Sequence, residues 1–196
     1  MRKFFLTLFV FFGLMYQHVK NSWVRNGQLG GYVHDTAMSQ FIPPTAFHCV
    51  TGTWTLAAGQ VAGTISKHKA SNSETTVVNI PILIPSNSVG LKGGYLKSVE
   101  VDYELTAAAA TSVTASMNKV TRGADTAVAV VSAVTVTQDL VANSGAQTED
   151  QHKLVVTLTT PAWIDNDEYY LLVLTIVAST AVIDMLGAVA NFTLRM

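Results

Sequence analysis

From about residue 50 onward, apolar and polar residues alternate in short runs separated by turn-forming clusters, the spacing of an all-β sandwich or barrel. Tyr95–Leu105 carries the clearest signal. Val99, Val101, Tyr103 and Leu105 alternate with Ser98, Glu100, Asp102 and Glu104, giving the apolar and acidic faces of a half-exposed antiparallel strand. Lys153–Thr159 places Leu154, Val156 and Leu158 on one face, and Ser112–Thr121 alternates more weakly. Tyr169–Ala178 is apolar on both faces, as a central strand between two covering layers would be. Further runs are Val50–Ala57, Val61–Lys69, Thr75–Ile84 and Ala127–Thr137, then Val182–Met185 and Ala188–Leu194 around Gly187. Pro81 places its run at an edge or a bulge, and the alanines of Ala127–Thr137 leave a helix open there. No period of 3.6 is sustained, and the pattern argues against helical and alternating α/β folds. The expected fold is all-β: an antiparallel β-sandwich of eight or nine strands, jelly-roll ahead of immunoglobulin-like in topology.

Composition changes the picture in one respect. Only 13% of the residues are charged, with Val, Thr, Ala and Ser in their place. Low charge and high β-propensity make open sheet edges hazardous. The edges are therefore expected to be covered by other copies of the chain, making it a homo-oligomer. Nothing resembles a basic footprint, so nucleic acid is not an expected partner. Cys49 is the only cysteine and excludes an intrachain disulfide.

Residues 1–37 read differently from residues 38–196, which form the expected single sandwich domain. Arg2-Lys3 precedes the apolar run Phe4–Tyr16, which matches a secretory signal peptide or an anchor. The run is short for a spanning helix, and Gln17–Ser22 offers no small-x-small cleavage site. Residues 21–37 show no hydrophobic period. Two other readings stand beside the signal: an oligomerisation segment, or translated upstream sequence ahead of a start at Met38, where composition shifts abruptly. Membrane contact is expected only if the apolar run is genuine.

Motifs for nucleophilic, phosphate-binding, dinucleotide and zinc-protease chemistry are absent from the sequence, so neither an enzyme nor a cofactor is expected. His48 and Cys49 are adjacent and point to opposite faces of a strand, which prevents a shared metal. The candidate ion ligands are Asp165, Asp167 and Glu168, close enough in one loop for Ca²⁺, although a solvated acidic turn explains them as well. Glu100, Asp102 and Glu104 read as a solubilising face with no carboxylate opposite them. Asn191-Phe192-Thr193 is a formal glycosylation sequon inside a terminal strand. In Pro161–Tyr170, Trp163 is placed to cap the core, and a tyrosine is placed to tie back to the acidic turn. Trp54, Tyr95, Tyr103 and Trp163 are the candidate binding aromatics, and core packing is the competing explanation for each.

Ile80-Pro81-Ile82-Leu83-Ile84-Pro85-Ser86-Asn87, Gly93-Gly94-Tyr95-Leu96-Lys97-Ser98, Asp150–Leu154 and Pro161–Asp165 resemble segments of uncharacterised β-rich proteins of tailed phages and environmental viral sequences. The resemblance runs from about Ser39 to the end. It implies a virion-associated structural subunit, such as a capsid decoration, tail or fibre protein, in contact with other virion proteins. The alternative is a secreted or surface-exposed binding module or extracellular fibre subunit, for which a carbohydrate is one candidate ligand.

Overall fold

The computed structural model describes residues 35–58, 63–70, 73–86, 93–123, 128–139, 148–161, 163–178 and 180–195. The Phe-rich segment, with the readings that concern it, lies outside them. The described residues form twelve strands and one 3₁₀ turn, Pro44–Ala46. Among them no helix is long and apolar enough to cross a membrane.

The strands are β1 (Asp35–Ile42), β2 (His48–Cys49), β3 (Trp54–Ala58), β4 (Ile65–Lys69), β5 (Thr75–Ile82) and β6 (Gly94–Thr106). They continue with β7 (Ala110–Thr121), β8 (Val130–Val134), β9 (Val136–Gln138), β10 (Asp150–Leu158), β11 (Glu168–Ala178) and β12 (Val182–Arg195). Sheet A runs β3-β4-β12-β6-β10-β9, with β1 also paired to β12; sheet B runs β2-β5-β11-β7-β8. All pairings are antiparallel. Eight strands form the frame, β4-β12-β6-β10 facing β5-β11-β7-β8. The chain crosses between sheets from β4 through β7 and again from β10 through β12, which is the jelly-roll path. The expected strand count fits this frame, and the four additional strands are short or lie at edges.

Alternation explains where the core sits. Val99, Val101, Tyr103 and Leu105 of β6 point inward and are fully buried, as are Leu172, Leu174 and Ile176 of β11 and Ile80 and Ile82 of β5. Ala127–Thr137 is extended over Val130–Gln138, which removes the helical alternative. Pro81 sits where β2, which covers only Val78 and Asn79, has already ended, leaving a stretch of edge that tolerates a missing N–H. The two predicted C-terminal runs are one strand. The register of β12 on β6 slips between Met185 and Gly187, so Leu186 is the extra residue of a bulge and the strand continues through it.

β1 begins at Asp35 and runs through Met38 without a break, pairing Asp35–Ile42 with Arg195–Ala188. Residues 35–37 are therefore strand where the lack of period suggested no structure. Long β12 holds both β1 and β4 along one edge, β1 on its C-terminal half and β4 on Ile183–Met185.

Candidate binding face

The outward residues of β6 alternate with its buried ones, so Ser98, Glu100, Asp102 and Glu104 stand on the outer face of sheet A, all of them half-exposed. Antiparallel register places Asn191, Val189, Gly187 and Asp184 of β12 beside them on one side, and Thr157, Val155, Lys153 and Gln151 of β10 on the other. β1 adds Ser39 opposite Asn191 and Phe41 opposite Val189.

These polar groups orient one another. Ser39 Oγ donates to Asn191 Oδ1 at 2.7 Å. Asn191 Nδ2 donates to Glu100 Oε1 at 2.9 Å, with Ser98 Oγ at 3.4 Å. Lys153 Nζ donates to Glu100 Oε2 at 2.9 Å. One hydrogen-bonded row thus crosses β1, β12, β6 and β10. The Lys153 and Asn191 bonds outweigh partial desolvation and hold the Glu100 carboxyl below its usual range. Desolvation pushes Asp102 up, with Lys153 opposing and Glu100 reinforcing the shift. The ammonium of Lys153 is strengthened by the Glu100 hydrogen bond and by both carboxylates.

Beside this row lies a flat apolar element. Phe41 is 60% exposed, and its ring lies over the backbone of Gly187: a Cβ built there would stand 2.7 Å from Phe41 Cε2 and 2.8 Å from Cζ. Gly187 also has φ +149°, a conformation side chains rarely adopt. The bulge and the glycine together let an aromatic ring rest on the sheet.

At the other end of β6, Tyr95 bridges to Trp163 across an isolated antiparallel pair. Their ring centroids are 4.9 Å apart and the planes are tilted by 48°. Gly94 and Ile164 take the buried side of that pair, so the two rings belong to the outer face. From strand spacing and rise, Phe41 and Tyr95 are about 15 Å apart along the diagonal of the face. Where β4 adjoins β12, Ser66 Oγ donates to Asp184 Oδ1 at 2.7 Å and His68 Nδ1 lies 3.1 Å from the same oxygen. Glu104 is the cross-strand neighbour of Asp184.

The four aromatics singled out in the sequence separate into distinct roles. Tyr103 is fully buried against His152, at 5.4 Å between centroids, and is corrected from candidate ligand platform to core residue. Its place among Val99, Val101 and Leu105 on the apolar face dictated this. Trp54 is half-buried against the core, and its indole N–H donates to Thr51 O at 2.7 Å. Tyr95 and Trp163 are the two of the four that stand on the outer face of sheet A.

In the acidic turn, the Glu168 carboxylate accepts from Lys119 at 2.7 Å and from the Asp165 N–H at 3.0 Å. Burial opposes its ionisation, but the bonds from Lys119, Asp165 and Thr121 prevail and its pKa is lowered. Asp165 and Asp167 are exposed. Among the described residues no group of three His, Cys, Asp or Glu side chains is placed to hold a metal ion. In the sequon, Asn191 is committed to the hydrogen-bonded row, and Phe192 and Thr193 are buried.

Ser39, Phe41 and Lys153 were not singled out from the sequence as site residues, and Asn191 only within the sequon. They come from strands separated by up to 152 positions, and only the register assembles them.

No family model and no curated protein matches the chain. Among solved structures it is similar to the CBM22-1 xylan-binding domain of Paenibacillus barcinonensis Xyn10C, with a TM-score of 0.42 and 14% identity over 81% of this chain and 92% of that one. It is also similar to the CBM22-1–GH10 modules of Clostridium thermocellum endo-1,4-β-D-xylanase 10B complexed with xylohexaose, with a TM-score of 0.39 and 9% identity over 82% of this chain. The chain spans 28% of the length of that second structure.

Proposed function

We propose that this chain is a non-catalytic binding module, secreted or held at a cell surface, which takes an extended, hydroxyl-rich carbohydrate on the outer face of sheet A. The observation that carries the reading is the Ser39–Asn191–Glu100–Lys153 row with the Phe41 ring beside it. Amide and carboxylate groups already oriented by their neighbours donate to and accept from adjacent hydroxyls with little further ordering. A flat exposed ring receives the apolar face of a sugar. The face is open and its aromatics are spread diagonally, so it suits a polymer chain rather than a single sugar unit. The carboxylates stand side by side on one sheet with none described across a cleft, an arrangement suited to binding and not to paired acid–base hydrolysis.

Affinity electrophoresis of the full chain against soluble xylan, β-glucan and mannan tests it. At least one polymer should retard the protein, no reducing ends should be released, and Asn191→Ala and Phe41→Ala should each weaken retention about tenfold, equivalent to about 1.4 kcal/mol. Free migration in every polymer, or variants that bind like the parent, would refute the proposal.

A further inference from the structure

The two outer faces differ in kind. Sheet A presents Glu100, Asp102, Glu104, Lys153 and Asp184. On sheet B the outward residues of β5 are Val77, Asn79 and Pro81, and those of β11 are Tyr169, Leu171, Val173, Thr175 and Val177. β7 contributes Thr114, Ser116, Asn118 and Val120, and β8 contributes Val131 and Ala133. None of these is charged. Leu83, just beyond β5, is 64% exposed and Val131 is 61% exposed. Arg122, Asp167 and Glu168 stand at the rim beside Leu83 and Tyr169. β11 is apolar on both faces, yet only its inner face is covered by a described layer.

We propose that the outer face of sheet B is the interface of a symmetric dimer, filled by the same face of a second copy. Two features select this occupant. A face with no carboxylate, lysine or arginine along its strands, and only His48 of β2 opposite Asn79, meets its own copy without like-charge repulsion, whereas a charged partner would have to be desolvated without compensation. The strands of sheet B run from two residues at β2 to twelve at β7, so at a rise of about 3.4 Å and a spacing of about 4.8 Å the face offers on the order of 600 Å², approaching the ~800 Å² per partner of a stable interface.

Sedimentation equilibrium of the full chain between about 0.5 and 100 μM provides the test. The parent should pass from monomer to dimer in this range, and Val173→Lys should be monomeric throughout with unchanged near-ultraviolet circular dichroism. Gln151→Lys, which puts the same charge on the outer face of sheet A, should dimerise like the parent. Should Val173→Lys misfold, Ser116→Lys decides: Ser116 is exposed and cross-strand from Val173, so a charge there should also hold the chain monomeric without disturbing the core. A parent that stays monomeric at 100 μM overturns the proposal and leaves the face to residues 1–34 or to a different partner. A dimer indifferent to Val173→Lys, or to Ser116→Lys where Val173→Lys misfolds, overturns it equally.

Discussion

Gly187→Ala perturbs the candidate face and the fold at one atom, which makes its consequences separable. The new methyl must adopt φ +149° and lies 2.7 Å from Phe41 Cε2. Backbone strain of this kind costs about 1–3 kcal/mol. The clash adds little to that, because Phe41 is 60% exposed and its ring can swing toward solvent. For a domain of this size each kcal/mol lowers the melting temperature by about 2–4 °C, so a fall of about 4–8 °C is expected for ~2 kcal/mol. Phe41→Ala should shift melting by less than about 3 °C, since little buried surface is lost. The double variant removes the clash but keeps the backbone strain, so it should melt close to Gly187→Ala alone, and the double-mutant cycle isolates the steric term. Polysaccharide retention should fall in all three variants, because the ring is displaced or missing. The assay pairs differential scanning calorimetry with affinity electrophoresis. A Gly187→Ala protein that melts and binds like the parent would refute both the bulge geometry and the role of the ring.

Lys69 is buried, 3.3 Å from Glu74, in a position that points into the sandwich. Glu74→Ala strands its ammonium and should cost about 3 kcal/mol in urea unfolding, whereas Lys69→Met should be near neutral, because Glu74 can turn to water. The lowered Glu168 carboxyl contributes stability that is complete above its ordinary value of 4.5 and is lost as pH falls through the lower folded-state value. Glu168→Gln should therefore flatten the acid limb of a stability–pH profile below about pH 5, and an unchanged limb would assign acid unfolding to other groups. Burial, and secondarily Glu168 and Tyr95, raises the Tyr170 phenol to about 12, and burial raises Tyr103 further. Of the six tyrosines, these two should stay protonated at pH 11, so the folded protein should reach at most about two-thirds of its unfolded phenolate absorbance there. Because both folded values are raised, their contribution is intact below about pH 10 and disappears on the alkaline side.

The jelly-roll strands were legible where one face meets the core and the other meets water, because burial then imprints a period of two. β6 and β10 are the clearest cases. β1 was not legible: its residues are mostly exposed on both sides, so no alternation is imposed, and its existence depends on the free edge of β12. The bulge at Leu186 shifted the phase of β12 and made one strand look like two. Tyr103 shows that the same alternation also decides sites. It shares a face with Val99 and Val101, and chemistry alone could not lift it onto the surface. The hydrogen-bonded row was hidden for a different reason. Asn191 and Glu100 are ordinary polar residues in their own strands, and their joint meaning comes from a register that couples distant segments. Phe41 acquires its role only through a glycine near the opposite end of the chain.

The two outer faces of the sandwich answer two separate physical demands. A chain with so few charges cannot guard both faces with them, and it concentrates them on sheet A, where each carboxylate or ammonium has a partner or water. Those groups are fixed by one another, so that face is structured yet still wet, the condition under which a polar ligand can replace water without leaving a charge unpaired. The outer face of sheet B is left without charge along its central strands. Covering it with a second copy places the two sheet A faces on opposite sides of the dimer, pointing away from each other. Each then engages a ligand chain without hindering the other, and on a polymer long enough or dense enough to reach both faces, the second contact forms at the high effective concentration set by the first. The uncharged face that leaves the isolated domain unguarded is thus the feature that would turn a weak single contact into a durable one.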